Sequence, residues 1–467
     1  MTKTEKSSVP LKVGSGEERI TQGPLFSSIL IFVIPIVLTN LVQTLFNAVD
    51  MVMVNFFSET GTEVASIGCT NPLLNLFKNL AMGISVGTSI LLARYLGAKE
   101  EDKVKKTVST SVLAALLIGV VIAGVSIAFM GAFLSMMHCP PECYEEAWLY
   151  SVVNMAGMPA LLVYNYAAAI LRVSGDSKRP LYYMLLSGGL NVLLNLVFCL
   201  ILPSKILAVA LATVLSQVIG AVMTLLRIFR MAGPCRLTVR ELRMDWHYFL
   251  KILRYGLPSG LCSALFSVSN ILIYSALNEY GAATMAGESA AAQLQTIILA
   301  IHNAYHVAAQ TFIGQNIGAG KPERVKKSFW YCTMVQVGVS FVLGLLMNVF
   351  VEELLYPFVG TDPVAIYCGK LSTFYLAFFF FIYTTPLAAT IQAFGYPTLQ
   401  MSVNLLAVLG VRSLWMTVVY HGGLLSHSLQ TIYLCYPISY VLMNAIYIPI
   451  TIYLFAKYKK GTLKKEL

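Results

Sequence analysis

Charge is scarce in this sequence. Asp, Glu, Lys and Arg make up 12% of its 467 residues, about half the share of about 25% usual in a soluble chain. Apolar residues reach 57%, and the mean hydropathy is +0.73. Such a chain has too little polar surface to cover a water-facing exterior, so lipid is the solvent its composition fits. Acidic residues are scarcer than basic ones, 22 against 32, leaving a net charge of +10.

The motifs of several enzyme classes are missing as well. There is no HExxH, DDxxD or GxSxG, and no paired catalytic acids. The segment GAGK has Gln315 where a phosphate-binding loop needs its first glycine, so ATP drive by this chain has no support. No cleavable leader is expected before the first apolar run. Seven of the nine cysteines show no ligand-like spacing. Cys139 and Cys143, in CPPEC, read as two free thiols, with a small disulfide as the alternative.

What the sequence has instead is apolar runs. A membrane span needs roughly 20 mostly apolar residues. Twelve candidates lie at about 25–57, 64–92, 107–137, 144–171, 181–202, 206–229, 248–278, 286–313, 329–351, 364–394, 399–420 and 429–456. With an even number of spans, both termini lie on one side. The segments 1–24, 93–106, 172–180, 227–254, 314–327 and 457–467 then share that side and hold 28 of the 32 Lys and Arg. This is the positive-inside pattern. It explains the basic charge without a nucleic-acid partner and places both termini in the cytoplasm.

The chain repeats itself. ARYLGAKEEDKVKK (93–106) aligns without a gap on GQNIGAGKPERVKK (314–327), at an offset of 221. Pro35 pairs with Pro258, and Gly175 with Gly395, at nearly the same offset. The expected fold is all-α and integral to the membrane. Twelve transmembrane helices form two six-helix lobes related by a pseudo-two-fold along the membrane normal. The divisions are an N-terminal tail (1–24), an N-lobe (25–229), a cytoplasmic linker (230–247), a C-lobe (248–456) and a basic tail (457–467). Parallel repeats of this kind leave a central cleft where transporters bind substrate.

Four stretches carry a resemblance to a known family. They are IPIVLTNLVQTLFNAVDMVMV (34–54), NLAMGISVGTSILLARYLGAK (79–99), RVSGDSKRP (172–180) with NVLLN (191–195), and QTFIGQNIGAGKPERV (310–325). The sequence resembles the multidrug and toxic compound extrusion (MATE) family. The resemblance implies a two-lobe antiporter of a bacterial inner membrane that exports organic compounds against inward H⁺ or Na⁺. Its partners would be a small organic substrate, including cationic ones, and membrane lipid. It would have no cofactor and would act as a monomer.

Asp50 is the one carboxylate in the interior of the predicted spans; Glu288 lies near an outer end. A charge within lipid is costly, which makes Asp50 a functional candidate. Asn40, Gln43 and Asn47 precede it at spacings that put all four within about 80° of one helix face. The stripe reads as a polar wall or as hydrogen bonding between helices. The resemblance implies that Asp50 couples cation movement with Asn191, Asn195 and Thr213. Asn195 stands where the family usually carries Asp, so one negative charge is lost while a carbonyl oxygen remains. Na⁺ at Asp50 stays open, since hard cations accept amide oxygens. The seventh- and tenth-span acids of some family branches are absent, so the chain resembles the bacterial branch coupled through the N-lobe.

Lys78 lies mid-span and needs a partner or water. It is expected to pair with Asp50, or to hold its charge in the aqueous cleft. Gln295, His302, His306 and Gln310 share one face of the eighth span and read as cleft-lining polar groups. Arg412, mid-depth in the eleventh span, reads as a carbonyl-bonding structural group or as part of the cleft. Alternatives to drug efflux are a flippase or exporter of a lipid-linked or anionic metabolite and, more remotely, an intramembrane enzyme.

Overall fold

The computed structural model describes residues 16–57, 62–137 and 139–461; for 16–18, 47, 48, 51, 55, 62–65, 267, 268 and 271 it describes the backbone alone. Among the described residues there are helices and turns and no strand. Among the described residues, twelve long helical rods run through the bundle. In the N-lobe they are α1 (Leu25–Phe57), α2 (Thr62–Gly97), α3 (Glu101–Ala128), α4 (Tyr144–Ala156 with Met158–Val173), α5 (Lys178–Ile201) and α6 (Lys205–Phe229). In the C-lobe they are α7 (Trp246–Asn278), α8 (Ala282–Gly318), α9 (Pro322–Val349), α10 (Pro363–Ser372, continuing to Ala393), α11 (Pro397–Asn404, continuing to Tyr420) and α12 (Leu429–Lys459).

Nine of these meet the length and hydropathy of a membrane span among the described residues, and the bent α4 makes ten. The other two, α7 and α8, have 33 and 37 residues. In a membrane every backbone polar group must be satisfied internally, which is why so apolar a chain folds as helices. Side chains set several starts. Asp245 Oδ1 accepts from the amides of His247 and Tyr248 at 3.0 and 3.4 Å, opening α7. Ser204 and Ser428 do the same for α6 and α12.

Helix breaks follow their composition. The halves of α4 meet at Gly157 and bend by 41°. α10 widens to a π turn at Thr373–Phe378, tightens at Phe379–Ile382 and breaks before Thr385. α11 carries π turns on both sides of Arg412, at Leu405–Gly410 and Trp415–Tyr420.

The lobes interlock. The N-lobe core runs through α2, α3, α4 and α6 and takes in Tyr248, Phe249, Ile252 and Tyr255 from the start of α7. A C-lobe core reciprocally takes in Leu25, Ile29, Phe32, Val33 and Ile36 from the start of α1. Core packing therefore does not divide at the linker, where sequence had drawn the boundary. At the end of the bundle where α2 and α8 finish, the two backbones nearly touch. A Cβ on Gly97 would stand 2.0 Å from the Gln315 carbonyl oxygen, and one on Gly318 would stand 2.2 Å from that of Arg94. Only glycine admits so close an approach.

Candidate functional site

Asp50 is half-buried on α1, facing α5 and α6. Asn195 Nδ2 donates to its Oδ1 at 2.5 Å and to Asn191 Oδ1 at 3.4 Å. Asn191 Nδ2 donates to Thr213 Oγ1 at 3.4 Å. The Thr213 hydroxyl in turn lies 3.4 Å from Asp50 Oδ2 and 2.9 Å from the Val209 carbonyl. Asn191 and Asn195 are one helical turn apart on α5, so both amides reach the same neighbour. The structure thus brings Asp50, Asn191, Asn195 and Thr213 into one hydrogen-bonded cluster. Asn195 is fully buried, and its Oδ1 has no donor. A carboxylate, amide oxygens and a hydroxyl form a set that hard cations accept. The unserved Asn195 oxygen is an acceptor that a cation would satisfy, and the carboxylate can alternatively carry a proton.

The stripe that precedes Asp50 is divided. Asn40 Nδ2 donates across the lobes to the Ala300 carbonyl of α8 at 3.1 Å. Gln43 is exposed. The side chain of Asn47 lies outside the described residues. Asn40 and Asp50 therefore do not share one wall: they sit at opposite edges of the arc and face different lobes.

Lys78, half-buried on α2, interacts with Asp50 through space. No ion pair within 4.0 Å joins them, and the four such pairs among the described residues lie elsewhere. Direct pairing is thus not the arrangement in this conformation.

His302 and Arg412 are both buried among neighbouring helices. His302 is 1% exposed. Its Nε2 lies 2.8 Å from Ser340 Oγ, and its ring stacks on Tyr383 with centroids 5.7 Å apart. His306 joins a separate network through Gln392 Oε1 at 3.0 Å, which also accepts from Gln310. Helical spacing gave these residues a common face, but α9 and α10 cover it.

Arg412 is fully buried. It donates to Asn270 Oδ1 at 3.1 Å and lies 4.3 Å from the ring centre of Tyr436. No carboxylate lies within 4.0 Å among the described residues, and Nη2 has no partner. In the repeat, α7 and α11 correspond to α1 and α5. The junction that holds a carboxylate in the N-lobe holds a guanidinium in the C-lobe.

Glu288 was undervalued by sequence, which placed it near an outer end. It is 1% exposed and accepts from the Tyr433 hydroxyl at 2.6 Å. The available signal was its heptad spacing to Gln295 and His302, a buried polar row on the inner face of α8. All nine cysteines are free, Cys139 and Cys143 among them.

The MatE family model matches residues 35–197 and 258–414. The chain belongs to the MatE family. A probable multidrug resistance protein of Bacillus subtilis, YoeA, is 27% identical over 395 residues, covering 83% of this chain and 85% of that protein. An FAD transporter of Shewanella oneidensis is 23% identical over 316 residues, covering 66% of this chain and 69% of its own. Among solved structures, MATE in the straight conformation superposes with a TM-score of 0.87 at 22% identity, over 96% of this chain and 100% of that one. A Pyrococcus furiosus transporter of the MOP superfamily reaches 0.86 at 20%, over 96% and 99%. The fold is the MATE fold of twelve helices in two lobes, and the family is one of multidrug efflux transporters.

Proposed function

We propose that this MatE protein is a secondary-active exporter that exchanges a small organic compound for inward H⁺ or Na⁺, with Asp50 as the coupling group. The observation that carries this reading is the Asp50 cluster. One carboxylate meets Asn195 at 2.5 Å, beside a buried amide oxygen that lacks a donor. Cation or proton binding there cancels the charge and changes which groups Asp50 must face. Coupling follows if the loaded and empty cluster favour different lobe arrangements, since each ligand must prefer a different state. The packed crossing of α2 and α8 supports a conformation closed at the basic end. The protein would sit in the bacterial inner membrane as a monomer, with that end and both termini cytoplasmic.

The test is efflux of a fluorescent organic cation from energised inverted vesicles, with the pH and Na⁺ gradients imposed separately. Gradient-dependent transport that Asp50→Asn abolishes supports the reading, and the effective gradient names the ion. Transport unaffected by Asp50→Asn sinks it.

One observation favours a second substrate class. Lys78 is half-buried on α2 without a contact carboxylate, so it adds a basic group at the depth of Asp50. An anionic or lipid-linked metabolite suits such a cleft. The Shewanella relative named an FAD transporter is in keeping with it. Competition of anionic against cationic compounds in the same vesicles separates the two.

A further inference from the structure

A cavity of about 550 Å³ opens at the basic end of the bundle, between the start of α1, the α4–α5 turn and the end of α6. Its size falls within the roughly 300–1,000 Å³ of small-ligand sites. Among the described side chains, four cations line it, Arg19, Lys178, Arg179 and Arg227, against a single carboxylate, Asp176. Asp176 is already taken: Arg179 Nη1 pairs with its Oδ2 at 2.7 Å. Among the described residues no carboxylate lies within 4.0 Å of Arg19, Lys178 or Arg227. Arg227 Nε is buried with no hydrogen-bond partner. The cavity therefore carries net positive charge and an unserved donor.

Its other wall is apolar. Phe32 is buried there, while Ile31 is 42% exposed. Ile31 begins a row along α1 that continues through Ile34 and Leu38, 56% and 44% exposed, towards the middle of the bilayer. Spacings of three and four residues keep that row on one face. Headgroup-depth cations at the mouth of a lipid-facing apolar track match one ligand: a phosphate attached to acyl chains. Basic pockets between helices at the cytoplasmic side are where anionic headgroups bind.

We propose that this cavity is a binding site for an anionic phospholipid of the inner leaflet. The phosphate meets Arg19, Lys178 and Arg227, and an acyl chain lies along Ile31, Ile34 and Leu38. The site joins the start of α1, which packs in the C-lobe core, to α5 and α6 of the N-lobe. An occupant there bridges the lobes. The inference rests on the basic end being cytoplasmic and not on the antiport reading.

The test uses the full-length protein in neutral detergent and follows thermal unfolding while lipid is titrated in mixed micelles. Phosphatidylglycerol should stabilise saturably; phosphatidylcholine and glycerol phosphate should not. Lys178→Gln with Arg227→Gln should weaken the apparent affinity roughly tenfold or more, since each cation near a headgroup contributes appreciably. Arg236→Gln with Arg240→Gln removes equal charge from exposed linker positions and should leave the titration unchanged. Lys178→Arg with Arg227→Lys should restore it. Equal stabilisation by phosphatidylcholine, or an unaltered Lys178/Arg227 variant, overturns the proposal. Glycerol phosphate reproducing the effect overturns the lipid source in favour of a soluble phosphate. Should the glutamine variant misfold, native mass spectrometry of the wild type decides. Preferential retention of phosphatidylglycerol supports the site, and indifferent retention refutes it.

Discussion

Arg94 and Gln315 stand 221 residues apart at equivalent places in the two halves, and each ties off a helix of the opposite lobe. Arg94 Nε, on α2, donates to the Ala393 carbonyl at the end of α10 at 3.0 Å. Gln315 Nε2, on α8, donates to the Val173 carbonyl at the end of α4 at 2.6 Å. The last carbonyls of a helix have no intrahelical partner, so a donor from the facing lobe satisfies them. Together with Gly97 and Gly318, these bonds form a two-fold latch at the basic end.

Removing both donors should loosen that end. A buried hydrogen bond from a charged donor contributes about 1.5–3 kcal/mol and a neutral one about 1 kcal/mol. Arg94→Ala with Gln315→Ala should therefore shift the closed–open balance at least tenfold. Spin labels at the exposed positions 178 and 398 should show a longer or broader distance distribution in the variant. An unchanged distribution would remove the latch from the closing mechanism.

Adding one methyl at the crossing should act more directly. Gly97→Ala or Gly318→Ala puts a carbon within 2.2 Å of a backbone oxygen that no rotamer change can move aside. Overpacking of this kind costs about 1–3 kcal/mol. Thermal unfolding should start earlier, and the same labels should move apart.

At the proposed coupling cluster, Asn195→Asp places a second carboxylate beside Asp50. Two carboxylates in contact suit a metal cation far better than one carboxylate and an amide. Na⁺ should then inhibit or drive efflux at roughly tenfold lower concentration than in wild type, read from Na⁺ titrations of vesicle transport. No change in Na⁺ response would place the ion elsewhere.

Arg412→Lys keeps the charge and loses the shape. The guanidinium faces Tyr436 at 4.3 Å while bonding Asn270, Ser269 and Ser439. An ammonium cannot stack and fork in that way. A loss of about 1–3 kcal/mol is expected, measured as a lower unfolding midpoint in detergent. A midpoint equal to wild type would make the aromatic enclosure irrelevant to stability.

Much of this was legible without coordinates. The twelve spans follow from apolar runs long enough for a bilayer. The repeat shows in the paired segments 93–106 and 314–327, and Asp50 stands out because an acid within lipid is rare. These properties are local or compositional, so one dimension records them. Which faces end up covered is not local. His302 shares a helix face with Gln310, yet α9 and α10 enclose it; Glu288 looked peripheral and is buried against Tyr433. The Asn40–Asp50 arc is split between lobes because α1 packs its first half in one and its second half against the other. Sequence alone determined that this chain spans a membrane as two parallel halves with one acidic coupling candidate. The tertiary structure decided that α1 and α7 interlock the lobes, that the α7–α11 junction encloses the Arg412 guanidinium where the α1–α5 junction holds the Asp50 carboxylate, and that α2 and α8 meet glycine to glycine. Those outcomes depend on which helices become neighbours, and helical periodicity assigns a residue to a face without naming what that face will meet.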